Sequence, residues 1–322
     1  MSERYSIYHV PDPLSEACRL GSAALGRSIR SGKALPPPWP ASRGGDFPPH
    51  PAAAAVYGFH ATLVAPFRSP AAAGTLADAL DSAAAGLDAA STGPLELVLL
   101  PPGFPALVPR ELPGTLADLG ETLVRAFSGL RHPPVPEEIS RREPLTPRQR
   151  ELAGIWGYPF VLDEFRYHLT LGDRLRDPGE PPDPRTLNLM DFVSARLGGA
   201  EARGLAVDAL CLCRQSRAGT PFDIVHVSRL RPAGNPGGSP GPPPPPEDPE
   251  VPAPLQPARA SSPAVRAGAA AGLPGPGSAG FPGSGTAGFH GPGSAGFPCS
   301  GTVGFHGPGA AGLPGPGGGA SR

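Results

Sequence analysis

The chain has 322 residues and a formal net charge of −1 at pH 7, and 45 of its residues are glycine and 49 are proline. The balanced charge argues against the broad basic surface that binds duplex nucleic acid. No apolar run reaches the roughly 18 residues that a membrane helix needs, so we expect no membrane partner. Residues 1–5 lack the basic start and the apolar stretch of a signal peptide, and we therefore expect a cytoplasmic location.

Composition changes near residue 233. Between residues 233 and 322 the few charged side chains cancel, and phenylalanine is the only type of aromatic residue. Such a segment buries too little apolar surface to offset the entropy lost on ordering. From about residue 271 it repeats an octapeptide, as in AGFPGSGT and AGFHGPGS. We predict a folded domain over residues 1–232 and a disordered Gly/Pro-rich tail over 233–322, whose partner the sequence does not name.

The folded part alternates between strand-like and helix-like patterns. In chain order we predict a strand at 6–10, a helix at 14–30, a proline-rich loop at 34–55, a strand at 57–67, a helix at 76–87, strands at 95–100 and 104–108, a helix at 116–130, a helix from 147, a strand at 165–171, a helix at 187–197, and a closing hairpin of 205–214 and 223–230. Gly32 is the expected stop signal of the first helix, and Thr146 the expected N-cap of the helix that Pro147 begins.

This order predicts an α+β fold with two comparable halves. Each half has a histidine-containing strand, then a helix, then a pair of strands. We therefore predict a two-lobed, pseudo-symmetric domain with a central cleft.

The two histidine strands carry the same motif. His60 and Thr62 lie in the first, His168 and Thr170 in the second, and each motif runs aromatic, His, apolar, Thr, Leu. Because side chains two apart on a strand point to the same face, each strand offers an imidazole beside a hydroxyl. Two such strands side by side would form a small pocket with two imidazoles and two hydroxyls.

Such a pocket suits phosphodiester cleavage. A neutral imidazole can take a proton from water, while a protonated one gives a proton to the leaving oxygen. The hydroxyls can donate hydrogen bonds to the non-bridging phosphate oxygens. The chemistry requires no metal ion and no other cofactor, and we expect none.

A single His-x-Ser/Thr motif is weak evidence, and the sequence contains a third example at His226 and Ser228. It lacks the surrounding residues that the other two share, so we interpret it as structural. Cys211 and Cys213 would share one face of a strand, and we interpret them as buried thiols because further metal ligands do not accompany them.

The paired motif resembles the signature of the 2H phosphoesterase superfamily. Residues 57–63, 145–149 and 156–171, together with 5–8 and 20–27, resemble its DUF1045 branch, which is associated with phosphonate metabolism. The resemblance covers about residues 4–231. It implies a two-lobed 2H phosphoesterase-like fold with a central cleft, and His60, Thr62, His168 and Thr170 as the catalytic residues.

The resemblance also implies a metal-independent phosphodiesterase acting on a small phosphorylated substrate. The family context suggests a phosphorylated ribose cyclic phosphate from phosphonate catabolism, and the wider superfamily suggests a nucleotide 2′,3′-cyclic phosphate.

One position departs from the branch. Val64 stands where the branch often has a lysine that could bind phosphate. Arg166, on the His168 face, or Arg68 could supply the missing cation, and Tyr57 on the His60 face could line the cleft. We therefore predict Arg166, Tyr57 and Arg68 as substrate-binding residues.

Two other functions stay open from the sequence. The same fold could be a non-catalytic phosphate- or RNA-binding module, although such a module would not need both imidazoles. The chain could also be an interaction protein whose tail is the functional part. The motifs do not tell which histidine is the base and which the acid.

Overall fold

The protein is described by a computed structural model that covers residues 3–100, 103–136, 139, 145–173 and 183–233. The predicted tail lies outside the described residues from residue 234 onward.

Strands and short to medium helices alternate along the described chain. The strands are β1 Arg4–His9, β2 Ala61–Phe67, β3 Ala90–Ser91, β4 Leu95–Leu100, β5 Phe104–Pro109, β6 Leu169–Thr170, β7 Ala206–Val207, β8 Ala209–Gln215 and β9 Asp223–Arg229. The helices are α1 Glu16–Leu25, α2 Ala52–Tyr57, α3 Ala73–Ala85, α4 Gly114–Ala126, α5 Pro147–Trp156 and α6 Pro184–Arg203. Short 3₁₀ segments occupy Ala41–Asp46, Ser128–Leu130 and Leu162–Glu164.

The strands form antiparallel sheets, which confirms the predicted α+β class. One sheet has the order β2-β1-β8-β9, a second has the order β4-β5-β6, and β3 pairs with β7. The first sheet combines the histidine strand β2 with the hairpin β8–β9, which follows β6 along the chain. The second sheet combines the histidine strand β6 with the hairpin β4–β5, which follows β2. The two halves of the chain therefore exchange hairpins and share both sheets.

Several element boundaries differ from the predictions for physical reasons. Helix α1 ends at Gly26, well before Gly32. Gly26 has a φ of 73°, and the N–H groups of Gly26 and Arg27 bond back to the carbonyls of Ala23 and Ser22. This is the left-handed glycine end that closes many helices, so the predicted helix 14–30 is too long. Thr146 is the N-cap of α5, which Pro147 begins, as predicted, and Gln149 completes a capping box with it.

The predicted loop 34–55 and strand 57–67 need a second correction. Helix α2 occupies part of both, and the histidine strand begins only at residue 61. The carboxylate of Asp173 accepts the N–H groups of Ala53 and Ala54 at 3.1 and 2.6 Å, so a residue distant in sequence caps this helix. The second histidine strand is also shorter than predicted, because a 3₁₀ segment precedes it.

The two faces of the four-stranded sheet bury different groups. One face joins the main apolar core, which also reaches the second sheet and includes Ile7, Leu63 and Leu169. The other face buries a smaller cluster that includes Tyr8, Cys211, Cys213 and Phe222. Cys211 and Cys213 are thus free, buried thiols that share a face, as predicted, and burial raises the pKa of both.

Helix α1 packs closely beneath the first histidine. Gly21 of this helix is buried, and a methyl group at that position would overlap the ring of Phe59. Phe59 is fully buried and directly precedes His60. Because Gly21 has no side chain, the ring of Phe59 can pack directly against the backbone of α1.

We predict that Gly21→Ala lowers the free energy of unfolding by about 1–3 kcal/mol, because the added methyl forces Phe59 out of its place. The matched control is Gly154→Ala in α5, where a new Cβ meets open space. That control should raise stability by up to about 1 kcal/mol. Urea denaturation followed by circular dichroism measures both, and equal stability of the two variants would contradict this packing argument.

Candidate active site

The first histidine is held by the backbone that precedes it. Gly58 ends α2 with a φ of 71°, and the side chain of Ile29 packs where a Cβ would lie. The Gly58 carbonyl lies 2.9 Å from Nδ1 of His60. A carbonyl can only accept, so Nδ1 carries the proton and Nε2 has the free lone pair in the neutral ring. The hydroxyl of Thr62 lies 3.1 Å from that Nε2 atom.

The second histidine repeats this arrangement. Nδ1 of His168 lies 2.9 Å from the carbonyl of Arg166, again two residues before the histidine. His60 and His168 each stand immediately before their strands, and Thr62 and Thr170 are the second residues of those strands. In both half-sites, therefore, Nε2 is the nitrogen that can exchange a proton with a ligand.

Burial lowers the pKa of both imidazoles, and the charge of His168 also acts on His60. Burial lowers the pKa of His60 to about 4, the Gly58 carbonyl opposes this shift, and His168 lowers the pKa further. Burial also lowers the pKa of His168, the Arg166 carbonyl opposes this shift, and the Arg166 guanidinium adds to it. Without a ligand, His60 is unprotonated at neutral pH.

Aromatic side chains form the apolar surroundings of His60. Its ring centroid lies 3.7 Å from that of Tyr8 and 6.3 Å from that of Tyr57. Phe222 packs against both tyrosines, at 5.8 and 5.5 Å. Tyr57, a predicted site residue, thus lies beside His60. Tyr8 was not predicted, because its position depends on the pairing of Tyr8 with Thr62 across β1 and β2.

The structure separates the two predicted arginines. The charge of Arg166 acts on His168, and its side chain is half-exposed. Its guanidinium group lies 3.5 Å from Glu164 and 4.9 Å from the ring centroid of Phe160. Because that ion pair is long and partly exposed, an anionic ligand can compete for the guanidinium.

Arg68 lies beyond the other end of β2, where it lines a cavity with Arg131 and His132. A seven-residue strand spans about 23 Å. The structure therefore does not bring Arg68 to the histidine pair, and we leave it out of the site.

The third motif faces a different part of the molecule. Nε2 of His226 lies 2.8 Å from Oδ1 of Asp81 on α3, and the hydroxyl of Ser228 donates to the same oxygen at 2.6 Å. This surface contact between α3 and β9 agrees with a structural role.

The described residues contain neither a cluster of metal-ligating side chains nor a membrane-spanning helix. No group of three or more His, Cys, Asp or Glu side chains in that part of the chain is placed to hold a metal ion. The described helices include none that is both long and apolar enough to cross a membrane.

Two curated relatives carry the same name, ribose 1,5-bisphosphate phosphokinase PhnN. The one from Laribacter hongkongensis is 32% identical over 241 residues, which are 72% of this chain and 53% of the relative. The one from a Janthinobacterium species is 33% identical over 235 residues, 68% of this chain and 49% of the relative. The chain thus spans about half the length of these relatives.

Solved structures show a weaker likeness. The complex of E. coli LigT with 3′-AMP is 17% identical with a TM-score of 0.36, and the match covers 72% of this chain and 99% of LigT. A second structure, described as a phosphoesterase, is 16% identical with a TM-score of 0.36, over 71% of this chain and 99% of that one. Backbone overlap this limited supports no statement about this chain.

The family match is direct. A model of the family described as "protein of unknown function (DUF1045)" matches residues 62–223, which is half of the chain and includes Thr62, His168 and Thr170. This match confirms the resemblance noted in the sequence: the chain belongs to the DUF1045 family.

Proposed function

We propose that this chain is a metal-independent phosphodiesterase that hydrolyses a small cyclic phosphodiester. The observation that supports this function best is the matched pair of imidazoles. His60 and His168 each direct Nδ1 at a backbone carbonyl, each keep Nε2 for proton transfer, and interact electrostatically. General acid–base catalysis needs two such groups on opposite sides of one phosphorus atom.

The proposed reaction consumes one water. The neutral histidine takes a proton from water at Nε2 as the water oxygen bonds to phosphorus. The bond from phosphorus to one ring oxygen breaks, and the protonated histidine gives its proton to that oxygen. The product is a phosphate monoester with a free hydroxyl, and the two histidines have exchanged protonation states.

Neighbouring groups support this chemistry. In the proposed complex, the hydroxyls of Thr62 and Thr170 donate to the non-bridging oxygens, and Arg166 supplies the positive charge that Val64 does not. A bound phosphodiester anion also raises the pKa of a nearby imidazole, because it favours the charged form. The substrate itself thereby helps one histidine to take up the proton that it later donates.

We further propose a phosphorylated ribose cyclic phosphate as substrate. Support comes from the ribose phosphate in the names of both curated relatives. Their kinase activity is not carried over, because the 322 residues contain no GxxxxGK[S/T] motif of phosphate-binding loops, and the single lysine, Lys33, is followed by Ala34.

We predict that turnover survives EDTA, and that His60→Ala and His168→Ala each lower kcat by at least about 100-fold, since each removes a proton-transfer group. The assay is phosphate-monoester release from ribose 1,2-cyclic phosphate 5-phosphate and from 2′,3′-cyclic nucleotides. The control is His226→Ala, which changes the third His-x-Ser motif and should keep kcat. Binding of these compounds without turnover would instead support the non-catalytic phosphate-binding module.

We predict that kcat/KM is highest below pH 6.5. This ratio reports the free enzyme, in which the pKa values of both histidines are lowered, that of His60 to about 4. As pH rises above those values, the population with one protonated histidine declines, and kcat/KM falls. The maximum of kcat should lie at higher pH, because bound phosphate raises both pKa values. A maximum of kcat/KM above pH 7.5 would contradict this account.

We predict that removing residues 233–322 leaves kcat and KM within about twofold of the full chain, because the proposed proton transfers use residues of 1–232 alone. Loss of turnover from a truncated chain that keeps its circular dichroism spectrum would instead assign a catalytic contribution to the tail.

A further inference from the structure

A buried hydrogen bond joins the two histidine-bearing sheets. Nδ1 of His9 lies 2.5 Å from the hydroxyl of Tyr167, and only 1% of His9 and 3% of Tyr167 is exposed. His9 is the last residue of β1, where it pairs with Ala61, between His60 and Thr62. Tyr167 directly precedes His168. The contact therefore links Tyr167, the residue before His168, to His9, the cross-strand partner of the residue after His60.

We propose that the pair of His9 and Tyr167 is a positioning latch, which fixes the separation and orientation of His60 and His168 during the reaction. This inference rests on the proposed phosphodiesterase function. Neither residue of the latch is proposed to touch the substrate.

The proton positions in the latch follow from its partners. A backbone hydrogen bond with Ala206 raises the pKa of His9, as an accepting carbonyl does, and we assign that bond and the ring proton to Nε2 because Nδ1 faces Tyr167. In a neutral ring Nδ1 is then an acceptor, and the hydroxyl of Tyr167 donates to it. Every polar atom of the pair is satisfied without a net charge, which is the form in which a buried polar contact is stable.

Burial keeps the latch in this form. Burial lowers the pKa of His9 to about 4, the Ala206 carbonyl opposes the shift, and Arg30 lowers the pKa further. Burial also raises the pKa of Tyr167. Both members of the latch are therefore uncharged at neutral pH.

Apolar packing alone would not fix the same geometry. The main core spans both sheets, so the two sheets stay associated without the hydrogen bond. Apolar contacts are not directional, however, whereas a short hydrogen bond between two rigid rings restricts both distance and angle. A misplacement of about 1 Å at reacting groups can lower a rate by about 100-fold.

The test separates positioning from simple stabilisation. Tyr167→Phe and His9→Phe each leave one buried polar partner unsatisfied, and both should lower the urea midpoint. The double variant replaces both partners by apolar rings, and water can bond to the carbonyl of the exposed Ala206, so its midpoint should recover most of the loss. We expect kcat to remain about 10- to 100-fold below wild type in the double variant, with KM within about threefold. Recovery of kcat together with the midpoint would overturn the proposal.

A second measurement does not depend on turnover. The imidazole C2 proton of His60, followed by NMR between pH 3 and 8, gives its pKa directly. Loosening of the latch should let water reach His60 and increase its distance from His168, so its pKa should rise toward 6.5 in the double variant. An unchanged pKa of His60 would overturn the latch even if kcat fell.

The matched control is Tyr5→Phe, on the same strand. Tyr5 is buried and its hydroxyl donates to Glu3, at the end of β1 remote from His9. This variant loses a tyrosine hydrogen bond but should keep both kcat and the pKa of His60. If wild type itself shows no turnover on the cyclic substrates, the proposed function fails, and the NMR result alone then decides for or against the latch.

Discussion

Two backbone carbonyls determine which nitrogen of each proposed catalytic histidine faces a ligand. The carbonyls of Gly58 and Arg166 each occupy the Nδ1 side of an imidazole, and a carbonyl cannot donate. Both rings, when neutral, are thereby restricted to the tautomer in which Nε2 carries no proton. The restriction depends on local backbone shape: at the first site the chain leaves α2 through Gly58 with a positive φ, and at the second it leaves a 3₁₀ segment. The remaining features of the site act on a pair of nitrogens that this geometry has already selected.

Burial and catalysis make opposite demands on these imidazoles. The aromatic rings of Tyr8 and Tyr57 exclude water from His60 and so favour its neutral form. A general acid must be protonated, and the lowered pKa of each imidazole opposes protonation when no anion is bound. An anionic phosphodiester resolves the conflict, because it adds the negative charge that stabilises one imidazolium. The site as proposed is therefore selective for anions without a dense cluster of basic residues, which fits the near-neutral charge of the chain.

Sequence reasoning predicted those features that depend on short-range periodicity. The strand and helix order, the N-cap at Thr146, and the shared face of His60 and Thr62 all follow from spacings of a few residues. It failed where a residue distant in sequence determines the local structure. Helix α2 is capped by Asp173, which follows β6, and Tyr8 reaches His60 only through the register of β1 and β2. Arg68 was misplaced because proximity in sequence was taken as proximity in space, although an extended strand intervenes.

The exchange of hairpins explains why a latch is needed between residues so close to the site. Each of the two larger sheets combines one histidine strand with the hairpin that follows the other histidine strand, so neither half of the chain can complete its own sheet alone. The separation of the two imidazoles is then a property of how two sheets pack, and apolar contacts, which are not directional, oppose the sliding of one sheet over the other less sharply than a hydrogen bond does. The hydrogen bond of His9 with Tyr167 opposes this sliding, because it crosses from one sheet to the strand of the other at the level of the imidazoles. A charged pair in that position would carry a desolvation penalty and would add to the field at both imidazoles. A neutral pair restrains the geometry of the two imidazoles without adding a charge, so that the bound substrate determines their pKa values.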